Sequence, residues 1–396
     1  MPVRSWIVAI AYALWLFVAW LGFWQVGGND QNAQQLALAL GIIPAAMQFY
    51  LVGIDPLGLA SPVKFSFVLV FVVLASYWNA PDNVVSWQPV IQVCNLVFAL
   101  TVAIMVAGSR DRSLLPKIAI AYSTISGLAL IYVNVYGQYV WGRLSENLQP
   151  NWWGLVGLSV AVAGFGAKRT LPFGLFGVGM GMLTAYDASA RGSMVGFICA
   201  ALVLSLTSIP ALRGRRLMRV LVLSACALAA VMVFEPYLPD VAKSAADAVF
   251  KVDDPYRGLG TGFTGREALW DAAIDIWKAH PLLGAGWHQQ DALLQVGAHN
   301  SYLAILADLG ICGLALYVSL LAWSLLAGFS VPDDRVRRLV VGVVGAYIGL
   351  GFFEARAFSV GQPLSLLFYM CAFFAIADHS RGIVARQLKT TQEITA

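Results

Sequence analysis

The sequence is poor in charge and rich in apolar residues. Only 12% of its 396 residues are Asp, Glu, Lys or Arg, half of the roughly 25% found in soluble domains, whereas 59% are hydrophobic. A soluble domain of this length cannot bury so much apolar surface. The composition therefore excludes an ordinary soluble enzyme, a disordered chain and a nucleic-acid-binding protein with basic stripes. It predicts an all-α polytopic membrane protein.

Several motifs that carry chemistry in other proteins are missing. The five cysteines show no C-x-x-C or metal-type spacing, so the sequence suggests neither disulfides nor a zinc site. The absence of a D-x-D motif weakens any metal-dependent glycosyl-transfer mechanism. The absence of a G-x-S-x-G elbow argues against a serine hydrolase. We therefore expect no metal ion and no cofactor.

Long apolar runs divide the chain into candidate membrane spans. About 20 helical residues cross a bilayer core of ~30 Å. We predict about twelve spans, over residues 5–24, 36–54, 63–78, 89–107, 114–136, 152–167, 171–187, 193–210, 217–234, 301–327, 338–353 and 363–377.

The distribution of Lys and Arg predicts the orientation of these spans. Short connections on one side carry 17 Lys and Arg residues and those on the other side carry 3, so the positive-inside rule places the first side and both termini in the cytoplasm. The chain then divides into spans one to nine (1–234), a long outer loop (235–300), spans ten to twelve (301–377) and a cytoplasmic tail (378–396). The net charge of +4 follows from this topology and does not indicate a nucleic-acid partner.

The outer loop contains an amphipathic helix. Thr264 and Glu267 form a capping box, and Trp270, Ile274 and Trp277 then recur at helical spacing. This pattern predicts a helix of about 16 residues that ends before Pro281. A Trp-rich helix of this kind suits a membrane interface.

Ionisable residues are scarce within the spans, which argues against a proton- or ion-coupled transporter. Charged groups near the outer face are therefore site candidates. Arg191 is expected at the outer turn between the seventh and eighth spans, where its guanidinium can bind phosphate oxygens two at a time. The alternative is a positional anchor or an ion pair with Asp187.

Arg266 is the second candidate. It lies in the first turn of the amphipathic helix, where a cation opposes the helix dipole and needs an anion nearby. That anion is a ligand in the functional interpretation; the alternative is pairing with Glu267 or Asp271, or simple solvation. The acidic stripe Glu267, Asp271 and Asp275 could hold a divalent cation, although a solvated helix face is the more ordinary interpretation.

His299 is the third candidate, directly before the tenth span. By span length it lies at headgroup depth, where a neutral imidazole can accept a proton from an attacking hydroxyl. The alternative is a His that caps its helix. His280 and His288 share the loop but have weaker claims, since His280 precedes a proline turn and His288 lacks an evident orienting partner.

In combination these features resemble the O-antigen ligase and polymerase superfamily. The resemblance rests on the many spans, the long outer loop before the tenth, the Arg191 turn, and three ordered motifs: Gly265-Arg266-Glu267-x-x-Trp270, His280-Pro281-Leu282-Leu283-Gly284-x-Gly286 and His299-Asn300-Ser301-Tyr302-Leu303. The topology covers nearly the whole chain and the motifs lie within 187–315.

The resemblance implies a bacterial inner-membrane glycosyltransferase with a periplasmic active site. Its donor would be a glycan on undecaprenyl pyrophosphate, transferred without a metal, with Arg191 and Arg266 on the pyrophosphate and His299 at the acceptor hydroxyl. The acceptor would be lipid A-core for a ligase, another lipid-linked repeat for a polymerase or a protein side chain for a third branch. The short tail and the lack of an extra outer domain favour the ligase. A transporter of lipid-linked glycans is the competing class.

Overall fold

The computed structural model describes residues 2–25, 31–80, 88–140, 143–145, 150–166, 172–207, 262–294, 297–356 and 358–395. These residues form fourteen α-helices, one short 3-10 helix and one two-stranded hairpin. The helices are α1 Pro2–Gln25, α2 Gln31–Ala39, α3 Ile42–Leu51, α4 Ala60–Ser76, α5 Gln88–Ala107, α6 Leu114–Tyr136, α7 Pro150–Gly164, α8 Pro172–Asp187, α9 Arg191–Thr207, α10 Gly262–Ala279, α11 Gln289–Leu294, α12 Ser301–Ser330, α13 Asp334–Leu350 and α14 Pro363–Thr395. The 3-10 helix is Tyr77–Asn79, and strand β1 (Tyr139–Val140) pairs antiparallel with β2 (Arg143–Leu144).

The described part of the chain has the helices of a multi-pass membrane protein. Six of them are long and apolar enough to cross a membrane: Val3–Leu21, Ala60–Asn79, Val90–Ala107, Leu114–Tyr136, Ser301–Ser330 and Pro363–Leu388. The helices α7, α8 and α13 coincide with predicted spans but, at 15 to 17 residues, are shorter than these six. The predicted span at 217–234 lies outside the described residues, so the total of twelve stays a prediction.

The predicted single span at 36–54 is two helices, α2 and α3. Pro44 lacks the N–H that would bond to Leu40 in a continuous helix, and its ring disfavours one. The indole N–H of Trp15 bonds to carbonyl groups near the break: Nε1 donates to the carbonyl oxygens of Ala37 at 2.9 Å and Leu38 at 3.2 Å. The helix therefore ends and restarts at Leu40–Gly41, a break that the apolar pattern alone does not reveal.

The helices pack around α14, whose residues 363–377 are all buried. Helix α14 extends beyond the predicted span 363–377 and ends at Thr395. Neighbouring helices approach closely at glycines: a Cβ on Gly157 of α7 would overlap the Gly181 carbonyl of α8, and the reverse also holds. Small residues at such crossings let helix backbones pack tightly in a membrane, where association depends on van der Waals contact and hydrogen bonds.

Connections predicted on the same side of the membrane contact one another. At one end, Arg112 after α5 lies 3.3 Å from Asp378 of α14 and 3.8 Å from Asp55 after α3. At the other end, the Asn79 side chain donates to the Gly284 carbonyl at 3.0 Å. We refer to this second end, predicted to face outward, as the site end.

Candidate active site at one end of the bundle

The first turn of α12 is bonded to the segment after α13. Ser301 donates from its backbone N–H to Gly351 and from Oγ to the Glu354 carbonyl, both at 2.7 Å. Asn300, the N-cap of α12, donates from Nδ2 to the Phe352 carbonyl at 3.4 Å. We call residues 351–356 the platform segment, because side chains from several helices meet there.

Arg266 reaches the platform segment from the amphipathic helix. As predicted, residues before Pro281 form this helix, α10, although it begins at Gly262, two residues ahead of the expected cap Thr264. The guanidinium of Arg266 is partly buried and donates from Nη1 to the Phe353 carbonyl at 3.0 Å. This hydrogen bond joins α10 to a residue 87 positions later in the chain.

Burial lowers the pKa of Arg266 from its usual value, and the nearby charge of Glu354 opposes that shift. Glu354, which is 6% exposed, supplies the negative charge near Arg266. The anion expected beside Arg266 therefore lies on the platform segment. The acidic stripe on α10 is exposed, and its Asp275 accepts from Lys278 at 2.9 Å. This geometry matches the solvated-face interpretation of the stripe.

Arg191 is the first residue of α9, where its charge opposes the helix dipole. The next residue, Gly192, lies directly against the platform segment: a Cβ there would come within 2.9 Å of the Phe353 Cβ and 3.4 Å of the Glu354 Cγ. The N-terminus of α9 therefore touches the same residues that Arg266 contacts.

The turn before Arg191 is held by the hairpin. Ser189 has a left-handed backbone with φ +46°, uncommon for a residue other than glycine. Arg143 of β2 donates from Nε to the Ala188 carbonyl at 2.9 Å and from Nη2 to the Ser189 carbonyl at 3.3 Å. Its Nη2 also donates to Asn151 Oδ1 at 3.2 Å. Arg143 thus joins the hairpin, α7 and the turn that leads into Arg191.

His299 directly precedes the N-cap of α12. Asn300, and not His299, caps the helix: its Oδ1 accepts from the backbone N–H groups of Tyr302 at 2.9 Å and Leu303 at 3.1 Å. His299 is partly buried and has φ +49°. The capping alternative therefore applies to its neighbour.

The structure brings the three predicted residues to one place. Arg266 bonds to Phe353, the residue after Arg191 packs on Phe353 and Glu354, and the residue after His299 bonds to Phe352. All three lie around the same short stretch of the platform segment. Their roles in binding and catalysis stay predictions.

The long helix α12 is broken where the predicted span 301–327 was expected to be continuous. Gly310 has φ +63° and ψ −162°. Four backbone hydrogen bonds cross the break: Ile311 N to Pro281 O (3.0 Å), Cys312 N to Leu282 O (3.2 Å), Ala285 N to Ala307 O (2.9 Å) and Gly286 N to Asp308 O (3.0 Å). In a continuous helix these α12 groups would pair with one another. The turn 281–286 is thus inserted into the helical ladder, which keeps every one of these groups satisfied.

Three ionisable residues at this end were missed as site residues. Glu354 lies near Arg266, and its Oε2 is 3.6 Å from Arg356 Nη2. The Arg356 guanidinium stacks on Trp152 at 4.6 Å from the ring centroid. The signal available in the sequence was the pair Glu354 and Arg356 directly after an apolar span.

The third missed residue, Asp308, is 5% exposed within α12. Its carboxylate accepts from the backbone N–H of His288 at 3.0 Å and of Gln290 at 2.8 Å. Asp308 therefore fixes the start of α11 beside the inserted turn.

A comparison with protein-family models matches the same region of the chain that contains the sequence motifs. Residues 175–318, less than half of the chain, match the family model described as O-Antigen ligase. This range includes Arg191, Arg266, His299 and the break in α12, but not the platform segment. No curated protein matches the chain.

One solved structure is similar over much of its length. It is described as "Structural coordination of polymerization and crosslinking by a peptidoglycan synthase complex"; the match is 18% identical and covers 80% of this chain and 97% of that chain, with a TM-score of 0.38. This likeness is too low to inform the fold or the function.

Proposed function

Because this chain belongs to the O-antigen ligase and polymerase superfamily, we propose that it is an O-antigen ligase. In this proposal it transfers a glycan from undecaprenyl pyrophosphate to lipid A-core at the periplasmic face of the bacterial inner membrane. The polyprenyl chain of the donor lies in membrane lipid, and the reacting groups meet at the site end of the bundle. The reaction uses no metal ion.

The proposed roles follow from charge. Arg191 and Arg266 bind the pyrophosphate, because a guanidinium presents a planar set of donors that suits phosphate oxygens. His299 in its neutral form accepts the proton of the acceptor hydroxyl. The bond between the sugar anomeric carbon and the pyrophosphate oxygen breaks while a bond to the acceptor oxygen forms. Negative charge then grows on the departing lipid pyrophosphate, where two fixed cations stabilise it.

The observation that carries this proposal is the shared contact with the platform segment. Arg266, the residue after Arg191 and the residue after His299 all contact Phe352–Glu354. These residues come from three separate parts of the chain and from three different helix ends. Transfer from a pyrophosphate donor needs cations near the diphosphate and a base near the acceptor hydroxyl, and this shared contact supports such an arrangement.

The test is a transfer assay with purified protein, an undecaprenyl-pyrophosphate-linked glycan and lipid A-core. Glycan covalently attached to lipid A-core is the expected product. Longer glycans formed without lipid A-core would instead identify a polymerase, transfer to a protein acceptor would identify the third branch, and movement of the donor across vesicles without any transfer would identify a transporter.

Variants separate the proposed roles. His299→Ala should abolish transfer and leave donor binding largely intact, with His379→Ala at the opposite end as the control. Arg191→Ala and Arg266→Ala should weaken donor binding and also cost about 2 to 4 kcal/mol of transition-state stabilisation, by analogy with oxyanion donors. Lys278→Ala, an exposed cation on the same helix as Arg266, is their control. Full activity of His299→Ala, or unchanged donor affinity and rate in both Arg variants, would refute the assignments.

A further inference from the structure

The backbone of His299 adopts a conformation that ordinary residues avoid. Its φ of +49° lies in the left-handed region. A residue other than glycine persists there only when its surroundings fix it, and such residues cluster at functional sites. The contacts on both sides of His299 therefore matter.

On the N-terminal side, two side chains hold the backbone of Ala298. Gln290 Oε1 accepts from the Ala298 N–H at 3.0 Å, and Trp270 Nε1 donates to the Ala298 carbonyl at 3.0 Å. Ala298 is fully buried and Gln290 is 2% exposed, so neither bond competes freely with water. The Ala298 carbonyl belongs to the peptide group that joins Ala298 to His299, and Trp270 therefore fixes that peptide plane.

Gln290 is itself held in place. Its backbone N–H donates to Asp308 Oδ1 at 2.8 Å. The support for His299 thus extends from α12 through α11, while Trp270 supports it separately from α10. On the C-terminal side, the Asn300 cap and its bond to Phe352 fix the following residue.

We propose that Trp270 and Gln290 are positioning residues for His299. They hold the peptide before His299 so that its Cβ leaves the left-handed backbone in the direction that presents the imidazole to the acceptor hydroxyl. This inference rests on the base role given to His299 in the proposed function. Neither residue touches the substrate in this scheme.

The chain offers a matched control on the same helix. Trp277 of α10 also uses its indole N–H to bond a backbone carbonyl, that of Pro281 at 3.2 Å. Replacing either indole by phenyl removes one such bond and keeps an aromatic ring. Only the Trp270 bond supports His299.

Steady-state kinetics in the ligase assay distinguish positioning from general loosening. Trp270→Phe should lower kcat about tenfold, the effect of one lost hydrogen bond expressed fully in the transition state. Its donor KM should stay within about twofold of wild type. Because Arg266 lies one turn earlier on α10, a general loosening of the helix would disturb donor binding and raise the donor KM as well. Trp277→Phe should leave both values unchanged.

Gln290 supplies a second, independent pair of variants. Gln290→Met keeps the side-chain length without the acceptor and should lower kcat with unchanged donor KM, whereas Gln290→Glu restores an acceptor and should recover part of the loss. If Trp270→Phe unfolds, this pair decides the matter.

The outcomes that overturn the proposal differ from those that overturn the function. Wild-type kcat in both Trp270→Phe and Gln290→Met, or a parallel change of kcat and donor KM, would refute positioning while an inactive His299→Ala still supported the base role. Wild-type activity of His299→Ala, or no transfer by the unmodified protein, would refute both.

Discussion

Gly284 lies against the backbone of Asp308, so that a Cβ on Gly284 would overlap the Asp308 carbonyl group. The reciprocal contact holds at Gly310, where a Cβ would overlap the backbone of Leu282. Both glycines also have left-handed backbones, with φ of +68° and +63°. The inserted turn and the broken helix can therefore interlock only with glycine at both positions.

The first prediction concerns these two glycines. Gly284→Ala and Gly310→Ala should each destabilise the protein by more than about 1 kcal/mol, because the new Cβ meets backbone and the positive φ is strained. The apparent melting temperature in detergent measures the effect. Gly179→Ala is the control, since a Cβ at this helical position meets nothing within 4 Å. Equal melting temperatures for Gly284→Ala and Gly179→Ala would contradict the interlock.

Local patterns in the sequence predict much of this end of the molecule. The spacing of Trp270, Ile274 and Trp277 indicated α10, and the apolar run after Asn300 indicated α12. The break at Gly310 could not be predicted in the same way. An isolated glycine in an apolar run is usually tolerated in a helix, and the turn that replaces its hydrogen bonds lies more than twenty residues earlier.

The candidate residues themselves came from chemistry and from the family resemblance, but their surroundings did not. For the anion near Arg266, the sequence offered a ligand or the carboxylates of the same helix, whereas Glu354 follows α13 much later in the chain. The hairpin residue Arg143 was not a candidate from the sequence, although it holds the turn before Arg191. Such contacts depend on tertiary packing, which spacing within one segment does not encode.

A second prediction concerns the end opposite to the site. Arg381 of α14 is 5% exposed, donates to the carbonyls of Leu57 and Ala107, the latter at 2.8 Å, and lies 3.5 Å from Asp55. Arg381→Met keeps a long aliphatic chain but removes the donor to the Ala107 carbonyl, while Asp55 is about a third exposed and keeps Arg112 nearby. We expect a loss of about 1 to 3 kcal/mol, because a buried carbonyl loses its hydrogen-bond donor.

Apparent melting temperature again measures the loss for Arg381→Met, and Arg386→Ala on the exposed continuation of α14 serves as its control. Transfer kinetics well below the melting temperature should match wild type, since Arg381 is far from the platform segment in the fold. A changed donor KM with a normal melting temperature would contradict a purely structural role.

A third prediction tests the support of Arg191. Arg143→Ala removes the donors that hold the Ala188 and Ser189 carbonyls, so the turn before Arg191 gains freedom. The donor KM should rise about three- to tenfold, the range of one or two lost hydrogen bonds, with a smaller change in kcat. Tyr139→Phe is the control within the same hairpin, because its hydroxyl contacts Asp187 and Asn134 instead. Unchanged donor KM in Arg143→Ala would show that the turn holds Arg191 without it.

The fourth prediction separates the charge of Arg266 from its shape. Arg266→Lys keeps a cation but lacks the planar donor set that can bond Phe353 and a phosphate together, so it should recover only part of the donor affinity lost in Arg266→Ala. Its pH dependence gives a sharper test. Burial lowers the pKa of Arg266 from its usual value, but an Arg guanidinium remains protonated across the assay range.

The same burial would lower the pKa of a Lys at position 266 from its much lower starting value of about 10.4. A lowered pKa means that the positive charge is lost at a lower pH, so donor binding by Arg266→Lys should weaken as pH rises from about 7 to about 9.5, whereas wild-type binding should not change for this reason. Donor KM measured across this range in both proteins checks the sign. Parallel pH profiles would contradict the expectation that burial lowers the pKa of the ammonium at this position.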